Sequence, residues 1–328
     1  AGSANDSLSG VEHADGGSGD DTITGDGGAN SLRGAGGDDE VSGGGGDDTL
    51  FAGQGRDTLD GGDGFDDANF EGVSAALYVD LEAGAESAVT GSRLSNIEGV
   101  TGGSGDDTID GDERDNWLDG RDGDDVFHGR EGSDTLVGGR GNNTIDGGDG
   151  QDILRYDWTA GAVLVDLSAG FAEVREPAAG GALAARDALS DVEHALGSTG
   201  NDTLVGSDAA NFLLGGGGDD SMSGGLGSDT LFAGQGADTL EGGGGRDTAD
   251  FSSAAAALDL DDHGHVRNLS GDPHDLADLR DGIGDLQRNL ASAEQGRQMF
   301  QERLELVQLR IETAVSAMAA PPPTQSGW

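Results

Sequence analysis

The chain has 328 residues and a formal net charge of −47; 34% of residues are hydrophobic, 4% aromatic, and 64 are Gly. Low hydrophobicity under high net charge excludes an ordinary globular core, because too little apolar surface can be buried to offset the entropy of ordering. It also argues against nucleic acid and anionic membrane as partners and favours cations, and the lack of Lys and Cys removes polybasic patches, disulfides and thiolate metal sites.

Residues 1–15 read as the tail of a preceding spacer or repeat unit. They hold Leu8-Ser9-Gly10-Val11-Glu12, a pattern that returns as Leu94-Ser95-Asn96-Ile97-Glu98 and Leu189-Ser190-Asp191-Val192-Glu193. After each copy the chain enters six nine-residue rows of the form Gly-Gly-x-Gly-x-Asp-x-apolar-x, over residues 16–69, 102–155 and 197–250. In the first array the sixth place holds Asp21, Asn30, Asp39, Asp48, Asp57 and Asp66. The eighth holds Ile23, Leu32, Val41, Leu50, Leu59 and Ala68. In the second array the sixth-place residues are Asp107, Asn116, Asp125, Asp134, Asn143 and Asp152; in the third, Asp202, Asn211, Asp220, Asp229, Asp238 and Asp247. With their spacers the arrays make blocks at 16–101, 102–196 and 197–267. In the spacers Leu77-Tyr78-Val79-Asp80-Leu81 and Val163-Leu164-Val165-Asp166-Leu167 read as strands that extend or cap the arrays, and Leu258-Asp259-Leu260 as a poorer copy.

Residues 268–328 differ. Leu276, Leu279, Ile283, Leu286, Leu290, Ala293, Phe300, Leu304, Val307, Ile311, Ala314 and Met318 recur by three and four, and Arg297 breaks the seam. The pattern predicts an α-helical coiled coil over 276–318, begun at Asp272-Pro273 and stopped by Pro321-Pro322-Pro323. Such a seam must be covered, and a second copy of the chain is its nearest partner.

The row itself dictates a chemistry. Glycines allow a tight six-residue turn; three further residues make a minimal strand with one inward side chain, hence one apolar place per row. Two rows then form one coil, and turns on the same edge stack about 4.8 Å apart. Carboxylates stacked at that distance repel unless a cation lies between them. A hard ion that accepts carboxylate and carbonyl oxygens together fits, which selects Ca²⁺ over Mg²⁺ and over the His- or Cys-seeking Zn²⁺.

The rows resemble the repeats-in-toxin (RTX) motif, a calcium-binding nonapeptide repeat of the hemolysin type. The resemblance implies an all-β parallel β-roll in three blocks. Each Ca²⁺ would lie between a turn and the turn two rows later. The first gives its Asp and the carbonyls of places two and four; the second gives its Asp and the carbonyls of places one and three. Carried over, Gly17, Gly19, Asp21, Gly34, Gly36 and Asp39 make one site, and Ala35, Gly37, Asp39, Ala52, Gln54 and Asp57 the next. Asp48, Asp66, Asp107, Asp125, Asp134, Asp152, Asp202, Asp220, Asp229, Asp238 and Asp247 are the corresponding carboxylates, for at most about four ions per block. Sites that use Asn30, Asn116, Asn143 or Asn211 lose a charge. Fifth-place acids such as Asp20, Asp38, Asp47, Asp106 and Asp124 read as facing solvent or standing behind the ion.

No HExxH pair, Ser-His-Asp constellation or phosphate loop stands in the sequence. The reading is a secreted, extracellular or cell-surface module that folds on calcium and serves a structural, adhesive or assembly role. The family resemblance implies a Gram-negative bacterium and its type I secretion apparatus as a partner. The rival reading is the C-terminal calcium-binding and secretion region of a larger secreted enzyme (protease, lipase or alginate epimerase) or toxin.

Overall fold

A row that buries only its eighth-place side chain cannot close a core alone, so rows must face one another in pairs. The computed structural model describes residues 12–82, 91–176 and 182–250, and the backbone of the strands Ala257–Leu260 and Val266–Leu269. The helical seam expected over 276–318 lies outside the described residues.

The described chain is an all-β parallel solenoid. Even rows stack on one side: Ser31–Ala35 pairs with Thr49–Phe51, which pairs with Asp67–Asn69, with Leu32 beside Leu50 beside Ala68. Odd rows stack on the other, where Thr22–Thr24, Glu40–Gly45 and Thr58–Asp63 set Ile23 beside Val41 beside Leu59. The pairing offset is two rows, so two rows make one coil. Inside lie two files of eighth-place side chains, among them Leu50, Leu59, Ile109, Leu118, Phe127, Leu136, Ile145 and Leu154, all fully buried. The core is one residue deep on each side, which explains how so few apolar residues suffice and why its hydrophobic contribution per row is small.

The two sides differ at the spacers. The even-row sheet runs through twelve parallel strands, from His13–Gly17 to Thr248–Asp250. It crosses the spacers on Gly99–Thr101 and His194–Leu196, which directly follow the Leu-Ser-x-Ile/Val-Glu pattern. The odd-row side is diverted. In the second spacer Val163–Asp166, Phe171–Glu176 and Ala182–Ser190 form an antiparallel meander. Its outer strands rejoin the roll in parallel, Ala182–Ser190 against Thr144–Asp149 and Val163–Asp166 against Thr203–Val205. The first spacer places Arg93–Ser95 against Thr58–Asp63 and Tyr78–Asp80 against Thr108–Asp110.

The strands expected at Tyr78, Val163 and Leu258 are thus present, whereas the antiparallel return of the second spacer is not legible from its mixed composition. Tyr156, fully buried, pins that return by donating its hydroxyl to Asp187 Oδ2 at 2.5 Å. No helix among the described residues is long and apolar enough to cross a membrane.

Candidate metal sites

Sixth-place side chains turn inward at the edges of the roll. Within the arrays many of their Oδ1 atoms build a ladder, accepting the backbone N–H of the sixth-place residue two rows earlier. Asp21 N–H donates to Asp39 Oδ1 at 2.8 Å, and Asp39 N–H to Asp57 Oδ1 at 2.9 Å. Asp48 N–H donates to Asp66, Asp107 N–H to Asp125, Asp134 N–H to Asp152 and Asp202 N–H to Asp220, each at 2.8 Å. The ladder also reaches Asp48, Asp134, Asp229, Asp238 and Asp247.

The second oxygen is different. In Asp21, Asp39, Asp48, Asp57, Asp66, Asp125, Asp134, Asp152, Asp220 and Asp229, Oδ2 is buried and accepts no hydrogen bond. A buried acceptor left unmet costs about 1–3 kcal/mol, and more when charged. A periodic stack of them is a demand for positive charge.

The space beside these oxygens is shaped by the first-place glycine. A Cβ on Gly43 would lie 2.1 Å from Asp48 Oδ2 and 2.6 Å from the Gly61 carbonyl of the next coil. On Gly16 the distances are 2.6 Å to Asp21 Oδ2 and 2.9 Å to Gly34 O; on Gly215, 2.3 Å to Asp220 Oδ2 and 2.6 Å to Ala233 O. These separations are far too close for a carbon atom, so only glycine fits at these three positions. Missing a side chain, the glycine lets a carboxylate oxygen and a carbonyl of the neighbouring coil close in on the same side of its Cα.

Asp21 and Gly34 are therefore brought together. Gly17 and Gly36 meet through the Gly36 N–H bond to Gly17 O at 2.9 Å. The Gly19 carbonyl faces Gly37, where an added Cβ would lie 2.5 Å from it. Among the described residues no three His, Cys, Asp or Glu side chains converge. A cation here must take most of its oxygens from the backbone, which suits calcium and not zinc.

Titration carries the same strain. Burial pushes Asp57, Asp66 and Asp152 up to about 6, Asp125 and Asp134 to about 7, and Asp220 to about 8. The backbone N–H bonds oppose the shift, and neighbouring carboxylates add to it, Asp39 acting on Asp57 and Asp202 on Asp220. A bound cation reverses the carboxylate repulsion and repays the desolvation.

Some turns are closed from within. Asp107 accepts the N–H of Leu77 at Oδ1 and of Gly103 at Oδ2, both at 2.9 Å. Asp202 accepts Val163 N–H at Oδ1 (2.8 Å) and Ser198 N–H at Oδ2 (2.6 Å). Asn116 takes the N–H of Asp112 at 2.8 Å and donates Nδ2 to the Glu98 carbonyl at 3.3 Å. Asn211 does the same with Ser207 and Glu193, both at 2.6 Å. Asn143 donates Nδ2 to Asp187 Oδ1 at 3.0 Å.

The fifth place also forms a ladder, running the other way. Asp20, Asp38, Asp47, Asp106 and Asp124 each accept the fifth-place N–H two rows later, at 2.7–3.0 Å. These side chains are exposed, as their place predicts, yet they tie coil to coil. Recurrence of Asp or Asn at the fifth place of alternate rows, as in Asn201 and Asp219, is the signal that could have found them.

A family model described as RTX calcium-binding nonapeptide repeat (4 copies) matches residues 1–41, 15–50, 33–68, 101–136, 128–158, 196–231 and 214–249, together more than half of the chain. No curated protein matches the chain.

Proposed function

The chain belongs to the family of RTX calcium-binding nonapeptide repeats, and from that premise we propose that it is a secreted, non-catalytic scaffold whose roll orders when it meets extracellular calcium. Its ions sit between stacked turns, held as at Gly17, Gly19 and Asp21 with Gly34, Gly36 and Asp39, and by the unpartnered oxygens of Asp48, Asp66, Asp125, Asp134, Asp152, Asp220 and Asp229. The observation that carries this reading is the stack of buried Oδ2 atoms without a donor.

The energetics set where such a chain can fold. With −47 of charge and a core one residue deep, the roll without ions opposes its own compaction. At ten times its Kd each independent ion adds about 1.4 kcal/mol, so about ten ions add on the order of 14 kcal/mol, the full margin of an ordinary domain. Sites of the extracellular kind bind at about 10⁻⁴–10⁻³ M, which leaves the chain unfolded at cytosolic calcium and folded outside. Export as an open chain through a type I apparatus follows naturally, and the seam over 276–318 supplies either self-association or the export contact.

Circular dichroism tests the reading. In chelator the full chain should show coil, and calcium should bring β signal with a steep, cooperative rise. A roll equally ordered in chelator overturns it. Light scattering in calcium on the full chain and on residues 1–268 then separates the roles of the tail: a self-associating parent and a monomeric truncation favour assembly, and a monomeric parent favours export.

A further inference from the structure

The unpartnered oxygens of Asp66 and Asp152 belong to the last rows of the first and second arrays, where no further repeat follows. Both residues are fully buried. What stacks on them is the spacer. There the turn between Arg93–Ser95 and Gly99–Thr101 has only residues 96–98, where a repeat turn such as 52–57 has twice that length. The second spacer repeats this with residues 191–193, between Ala182–Ser190 and His194–Leu196.

The short turn reproduces the repeat's cradle. A Cβ on Gly61 would lie 2.5 Å from Asp66 Oδ2 and 2.1 Å from Asn96 O; on Gly147, 2.7 Å from Asp152 Oδ2 and 2.0 Å from Asp191 O. Within the second array, Gly129 gives 2.3 Å to Asp134 Oδ2 and 2.3 Å to Gly147 O. The Asn96 and Asp191 carbonyls thus stand where a first-place carbonyl stands in the repeat. Both residues hold left-handed backbone, φ 53° and 48°, a conformation that Asn and Asp tolerate.

The ladder is continued too. Asp66 N–H donates to Glu98 Oε2 at 3.1 Å and Asp152 N–H to Glu193 Oε2 at 3.0 Å, the role that sixth-place Oδ1 plays inside the arrays. A glutamate thus fills, at the third residue of the shortened turn, the acceptor role of a sixth-place aspartate.

We propose that Asp66 with Asn96 and Glu98, and Asp152 with Asp191 and Glu193, form two additional calcium sites that close the first and second arrays. The inference rests on the reading of the roll as a calcium stack. The two sites are unequal. Glu98 is ion-paired with Arg114, which also holds Asp112 at 2.9 Å; the matching place of the third array is Ala209, which supplies no guanidinium to Glu193. The ion beside Glu193 is bound more tightly.

Calcium counted per chain by equilibrium dialysis, with affinities from calorimetric titration, tests this on the full protein. Glu98→Gln and Glu193→Gln keep an oxygen for the Asp66 and Asp152 N–H groups, so a merely structural cap would leave the count unchanged. Each variant should bind one ion fewer, the double variant two fewer, and Arg114→Ala should tighten the weakest ion several-fold. Variants that match the parent in count and affinity overturn the proposal while leaving the calcium roll intact. A parent that binds no calcium instead overturns the reading beneath it. A calcium-loaded crystal without anomalous density beside Glu193 also overturns the proposal, without reliance on any variant.

Discussion

Asp134 and Asn116 occupy the same edge of the second array two rows apart, on one backbone, and differ by a single group. Asp134 Oδ2 is buried without a donor, and burial pushes its carboxyl up to about 7. Asn116 carries its own N–H, which meets the Glu98 carbonyl of the coil below. An amide can satisfy the turn alone, because it is at once donor and acceptor; a carboxylate only accepts and must import its positive partner. Asp107 and Asp202 reach the closed state by another route: beside the Oδ1 bonds from Leu77 and Val163, their Oδ2 atoms accept the N–H groups of Gly103 and Ser198 in the same row. The second and third arrays thus begin on turns held by hydrogen bonds and continue on turns that require ions. The first array differs, since it opens on Asp21, whose Oδ2 is unmet.

Acidity should blur this contrast most. In the metal-free roll the folded-state values of about 6 for Asp57, Asp66 and Asp152, about 7 for Asp125 and Asp134 and about 8 for Asp220 all exceed the ordinary 3.8. A raised folded value means that the folded chain binds more protons than the unfolded one. Its contribution is fully present below about pH 4 and is lost as pH rises through about 6–8. β signal in chelator should therefore grow on acidification across that window, while calcium affinity falls. A β signal that is flat or rises with pH would sink the idea.

Asp39→Ala strikes an open turn shared by two sites. It should lose two ions and, at ten times Kd, about 3 kcal/mol measured by denaturant unfolding in calcium. An unchanged ion count would mean that Asp39 serves the ladder alone.

Asn116→Asp converts a closed turn into an open one. Where calcium is limiting it should cost about 1–3 kcal/mol, for the lost amide bond and the added buried charge. In excess calcium it should bind one ion more than the parent. An equal cost at low and high calcium would show that the amide is not acting in place of a cation.

Asp20→Ala breaks only an exposed bond, from Asp38 N–H at 2.9 Å. The loss should be about 0.5–1.5 kcal/mol with no change in ion count. A calorimetric titration that loses an ion here would place the ligands on the fifth-place ladder instead.

The nine-residue period, the burial of Leu50 or Leu59, the parallel coil and the sixth-place carboxylates were all legible in the sequence. Each depends on a residue's place within its own row, and the row repeats. What lay beyond it is contact between residues far apart in the chain. Only the packed roll shows that Oδ1 of Asp39 serves a backbone N–H while Oδ2 has none, because the two oxygens are chemically identical until a coil is stacked on each side. The bond to Asp107 Oδ1 from Leu77, thirty residues earlier, has no local signature. Nor has the antiparallel return of Phe171–Glu176, whose partners are set by the strands it must bridge. Glu98 and Glu193 were visible as a recurring pattern, yet their work at the ends of the arrays was not. It rests on bonds from Asp66 and Asp152, 32 and 41 residues away in the chain, which exist only once the coils are stacked.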